Sequence, residues 1–100
     1  MKLVAKLSDY IQEEISDAKK YALCALKLKE EKPDVASLFI QLANEEMSHM
    51  GRLHNAVVGL IAEYRAEYGE PPAAMKAVYE YEHEKQALAA AEVSGLLAQY

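Results

Sequence analysis

Three residues in this chain have the types and the spacing to do chemistry together: Glu14, Glu46 and His49. The last two stand in the stretch FIQLANEEMSHM, residues 39–50, which holds no proline and meets no glycine until Gly51. Its apolar residues recur at helical spacing, so it predicts a helix interior. Residues three apart on a helix share a face, so Glu46 and His49 point the same way. Val35, Phe39, Leu53 and Val57 all fall within roughly 20° of Glu46 around such a helix. His49 lies at the edge of that stripe, beside Leu38, Leu42 and Ala56. A carboxylate on a buried apolar face must be neutral, paired or bound to metal, because an isolated buried charge is very costly. Carboxylate and imidazole one turn apart on such a face form the ligand set of a metal site inside a helix bundle.

The elements that must position these groups follow from the same periodicity. Leu3, Leu7, Tyr10, Ile11, Ala18, Tyr21, Ala25 and Leu28 recur at three and four, which predicts an amphipathic helix over about 3–29. Glu14 falls within roughly 20° of Leu3, Leu7, Tyr21 and Ala25, whereas Glu13 points to the flank. Pro33 suits the first turn of a second helix, with Asp34 favourable beside it. That helix runs over 33–68, roughly 50 Å long. Gly51 and Gly59 lie off its apolar stripe and should bend it at most, and Gly69 terminates it ahead of Pro71 and Pro72. A third helix over 73–99 carries its apolar stripe on Met75, Val78, Tyr79, Ala89, Val93, Leu96, Leu97 and Tyr100, with Glu82 in the middle.

Short loops make consecutive helices antiparallel neighbours. The first turn, near residue 32, sets residue 14 opposite roughly residue 50, so Glu14 lies within about one turn of Glu46 and His49 in height. The fold class is therefore all-α, a single domain over 1–100 made of a long antiparallel helical hairpin plus a third helix. The stripes of the hairpin are too long for the third helix to cover at every level. A two-fold dimer would pair two hairpins into a four-helix bundle. Two copies of the triad then give four carboxylates and two imidazoles, the ligand count for two metal ions. Mixed carboxylate and imidazole favours iron or manganese, with zinc a common substitute.

Composition narrows the partners. The 100 residues carry 16 acids against 11 bases, a net charge of -5, which argues against nucleic acid as the main partner. No apolar run approaches the roughly 18 residues of a membrane span, and the N-terminus turns acidic too soon for a signal peptide. Cys24 is the only cysteine; a reducing compartment suits it, and inert packing is its expected role. A cytoplasmic location is expected, inside a protein compartment as a variant of the same idea.

Other polar residues have plainer readings. Glu80-x-x-His83 repeats the motif on paper, but both residues point with Lys76, Ala87 and Ser94 away from the apolar stripe and are expected on a solvated face. Glu82 has the right angle and the wrong height, about 18 Å along the axis from Glu46; a Glu82–Lys85 pair or a partner-facing role is expected. His54 is expected at a flank or interface, Met47 and Met50 in packing, and Tyr21 in the core near the site. Asp17 either orients His49 or pairs with a surface charge. For Glu14, Glu46 and His49 themselves, a buried hydrogen-bonded cluster that fixes helix register stays open beside the metal site.

Glu14, Ala18 and Tyr21, followed by Ala36, Phe39, Ala43, Glu46 and His49, resemble the first helix pair of a ferritin-like or rubrerythrin-like di-iron protein. The resemblance covers roughly the first 60 residues. Such four-helix domains supply two glutamates and two Glu-x-x-His motifs, whereas this chain has one such set in core positions. It is similar in this to encapsulated ferritins, in which two chains build one di-iron site. The resemblance implies two irons per dimer and a ferroxidase-type reaction between Fe(II) and dioxygen. Catalytic roles then fall to Glu46, bridging both metals, and Glu14, binding one terminally, with His49 completing each ion. A non-enzymatic helical interaction module of the same fold, with structural metal or none, is the alternative.

Overall fold

The computed structural model of the chain describes residues 1–100 and contains three α-helices and no strand. Helix α1 spans Lys2–Leu28, α2 Pro33–Tyr68 and α3 Ala73–Gln99. Proline and glycine punctuate them as their backbone limits require. Pro33 opens α2, where its missing N–H would have had no partner anyway. Gly69 closes it at φ 81, a left-handed conformation that costs glycine little, and its N–H bonds to Arg65 O at 2.9 Å. With 36 residues α2 runs the whole 56 Å length of a molecule only 18 Å across.

Helix α1 is the middle element. It packs most closely along α2 and also along α3, while the backbones of α2 and α3 stay farther apart and meet through side chains. Toward the first turn the α1–α2 seam is built of Ala18, Ala22 and Ala25 against Ala36 and Ala43, all fully buried. Such short side chains let two helices approach closely. Farther along, Ile11, Ile15 and Ala18 of α1 meet Val93 of α3, with Met47, Met50, Leu53 and Val57 of α2 closing around them. Each fully buried Ile or Val in such a cluster contributes about 1.5–3 kcal/mol.

Helix α3 lies parallel to α1, and polar contacts set its register. Gln86 Nε2 donates to Ser8 Oγ at 2.7 Å and to Ser8 O at 3.3 Å. Lys19 Nζ pairs with Glu92 Oε1 at 2.8 Å, and Lys29 sits over the Tyr100 ring. The docking of α3 explains where the expected stripes were misplaced. Ser8 and Lys19 lie on the flank of α1 away from Glu14, so α3 pulls the buried arc toward Val4, Ile15 and Ala22. Leu3 and Tyr10, expected in the core, are left exposed, as are Val35 and Leu38 on α2 and Val78 and Tyr100 on α3.

Only 11 of the 100 residues are buried, and the radius of gyration is 16.3 Å, against about 13 Å for a compact domain of this length. The hairpin therefore keeps one long side covered by α3 and the opposite side open. Leu3 and Tyr10 of α1 and Val35 and Leu38 of α2 lie on the open side, at the angles of Glu14, Glu46 and His49.

Candidate metal centre

The open side of the hairpin brings the three sequence-predicted residues together. Glu14 comes from α1, and Glu46 and His49 come from successive turns of α2. One ligand atom from each lies within 4.8 Å of the others. His49 Nδ1 stands 3.6 Å from Glu14 Oε2 and 3.9 Å from Glu46 Oε1. These distances are too long for hydrogen bonds and leave room for an ion among the three groups. The glutamate side chains are about three-quarters covered, at 24% and 20% exposure, whereas His49 is half exposed at the rim. Seven residues closer to the turn on both helices, Tyr21 and Phe39 stack at 5.9 Å and close that end of the site.

The electrostatics of the cluster suit a cation. Glu14 Oε2 is buried and no donor reaches it, and an orphaned buried acceptor costs about 1–3 kcal/mol. Glu46 is pushed up to about 7. The largest cause is a proton shared with the Glu14 carboxyl; desolvation and repulsion from Glu14 add to it, His49 opposes it, and Asp17 adds a little. With Glu46 ionised the two carboxylates face each other unpaired; a proton or a cation between them relieves both. Beyond the proton that Glu14 and Glu46 can share, no other hydrogen-bond donor reaches the buried Glu14 Oε2. Donors, spacing and orphaned oxygen fit a hard or borderline cation such as iron or manganese.

The remaining candidates fall elsewhere. Asp17 lies 3.9 Å from Lys20 on the surface, and the ion pairs of His49 go to Glu14 and Glu46 rather than to Asp17. Met47 and Met50 pack on the core cluster, as expected. Cys24 is exposed rather than in the inert packing role expected of it. Glu82 does lie on the inner side of α3, but Lys85 turns to the Tyr81 ring, so the expected Glu82–Lys85 pair is absent. His83 is exposed, yet it is not simply solvated: its ring stacks on His54 across from α2 at 5.2 Å. Gln86 escaped the sequence reading altogether. Its signal was present, since it stands seven residues from both Tyr79 and Val93 and so on the same stripe.

A helical hairpin with a carboxylate–imidazole cluster between its two long helices defines the class, a ferritin-like helical protein. The family model for rubrerythrin matches residues 6–94, and the chain belongs to that family. Rubrerythrins are part of the ferritin-like superfamily and typically bind iron. Searches of curated proteins and of solved structures gave no match. No helix is long and apolar enough to cross a membrane.

Proposed function

We propose that two copies of this chain face each other through the open side of the hairpin and bind iron between them, with Glu14, Glu46 and His49 of each copy as ligands. The observation that carries this reading is the convergence of the three donors within 4.8 Å around a buried carboxylate oxygen that no protein group satisfies. One copy offers only two carboxylates and one imidazole, too few to complete a pair of ions. A two-fold axis through the open side doubles the set and covers Leu3, Tyr10, Val35 and Leu38 in the same step.

In this arrangement Fe(II) is the substrate and is oxidised to Fe(III), its electrons passing to dioxygen. As the resemblance implies, Glu46 would be shared by the two ions, Glu14 would hold one of them, and His49 would supply the neutral donor at the half-exposed rim. The same carboxyls exchange a proton for a metal ion on loading, since the Glu14 carboxyl and desolvation hold Glu46 well above the usual carboxylate range. Manganese or zinc can take the same donors. A reducing compartment such as the cytoplasm keeps both Fe(II) and the Cys24 thiol reduced, in keeping with this reading.

The test is the metal content of protein purified without chelator, followed by anaerobic Fe(II) loading and exposure to air. About one iron per chain, and oxidation faster than in buffer, are expected. Bound metal without oxidation, or no bound metal at all, would overturn the ferroxidase reading and leave the interaction-module alternative standing. Sedimentation reports the interface separately: the wild type should run as a dimer or larger. Leu38→Glu, which sets a charge on the open side, should yield monomer and lose iron with it.

A further inference from the structure

We propose that His54 of α2 and His83 of α3, backed by Glu80, form a second site for a borderline divalent ion such as Zn2+. It is separate from the carboxylate centre and independent of the reading given to that centre. His54 stands five residues beyond His49, about 7.5 Å along α2 and about 140° around it, so it faces away from Glu14 and Glu46. It turns instead toward α3, where His83 meets it with ring centroids 5.2 Å apart and planes inclined at 28°. Two imidazoles that share a tetrahedral ion at about 2.0–2.1 Å have ring centres roughly 5 Å apart. The protein thus holds the two rings at a spacing compatible with such an ion, on two helices whose backbones otherwise stay apart.

The surroundings favour a cation. Neither ring hydrogen-bonds to another protein group. Both line an open cleft of about 440 Å³, through which a hydrated ion can reach them. Asp9, Glu80 and Glu82 also line it, against Arg65 and Lys76. Arg65 is turned aside to Glu70 at 3.4 Å, which leaves the acidic groups in excess. Glu80 precedes His83 by three residues on α3 and so shares its face, but its carboxylate stands outside ligand distance of the two rings and must swing in to act as a third donor. An imidazole-rich set selects zinc, copper or nickel over the harder ions that suit Glu14 and Glu46. An ion held here ties α3 to α2.

The test uses the full chain carrying Glu14→Gln and Glu46→Gln together, which removes the carboxylate centre, titrated with Zn2+ alone. A single Zn2+ per chain should bind and raise the melting temperature, since it joins helices of the native state only. Adding His54→Ala or His83→Ala should abolish binding, and Glu80→Gln should weaken it about tenfold. In the wild-type chain the ring resonances of His54 and His83 should shift together on adding Zn2+, a readout that needs no substitution. The proposal is overturned if the double variant takes up no Zn2+, if uptake survives loss of either histidine, or if the two rings fail to respond together.

Discussion

Glu46-x-x-His49 and Glu80-x-x-His83 are the same motif on two helices of one chain, and they come to different ends. In each, a carboxylate and an imidazole share a helical face by spacing alone. What differs is the group that stands opposite. Glu46 and His49 meet the Glu14 carboxylate across the hairpin, three-quarters covered and unsatisfied. His83 meets the imidazole of His54 beside an open cleft, and its own glutamate stays exposed. A short motif therefore fixes only half of a site. The facing helix decides whether the set is carboxylate-rich or imidazole-rich, and with that the kind of ion it suits.

The largest effect should come from breaking the two pairs in turn. Glu46→Ala and His49→Ala should abolish iron uptake, whereas Glu80→Ala and His83→Ala should leave iron content unchanged. Equal loss of iron from both pairs, measured by elemental analysis, would erase the distinction. A smaller effect concerns the metal-free protein. Glu46 holds its proton up to about 7 in the fold against 4.5 when unfolded. That proton's stabilising contribution is fully present below 4.5 and is lost as pH rises through about 7, so metal-free stability should fall across this window. The change is of order 1–3 kcal/mol for a side chain this well covered. Glu46→Gln should flatten the dependence in urea titrations at a series of pH values; an unchanged slope would remove Glu46 as its cause. The smallest effect separates the pairs by position. Gln86→Ala removes the bonds to Ser8 that set α3 against α1 and should cost about 1 kcal/mol. Iron content should be untouched while Zn2+ binding weakens, because only the second pair depends on where α3 lies.

The hairpin was legible in the sequence for local reasons. Pro33 and Gly69 act through their own backbones, so both ends of α2 could be read without knowing its neighbours. The meeting of Glu14 with Glu46 and His49 needed only helical periodicity and one short turn. What the sequence withheld was the side of the hairpin on which α3 lies. Periodicity finds an apolar arc but not the partner that covers it, and Leu3, Tyr10 and Val78 fit an arc as well as Val4, Ile15 and Val93 do. The His54–His83 contact was hidden for the same reason, since it joins residues whose proximity depends on that docking. Lys85 leaving the half-buried Glu82 for the exposed Tyr81 ring is a choice between two weak partners of nearly equal worth, which no pattern encodes.

The central place of α1 bears on how the molecule comes apart. Losing α3 opens one seam and leaves the alanine-lined hairpin whole, whereas α1 cannot leave without opening both seams at once. Amide protons of α3 should therefore exchange with deuterium through a partial opening that spares the hairpin. Those around Ile11, Ile15 and Ala18 should wait for the whole chain to unfold. Mass spectrometry of exchanging peptides would resolve two protection levels along the chain, and a single level shared by α1 and α3 would mean that the three helices open as one. On the two-level outcome the molecule is a firm pair of helices carrying a third that can be released alone, and Zn2+ held between His54 and His83 should slow that release.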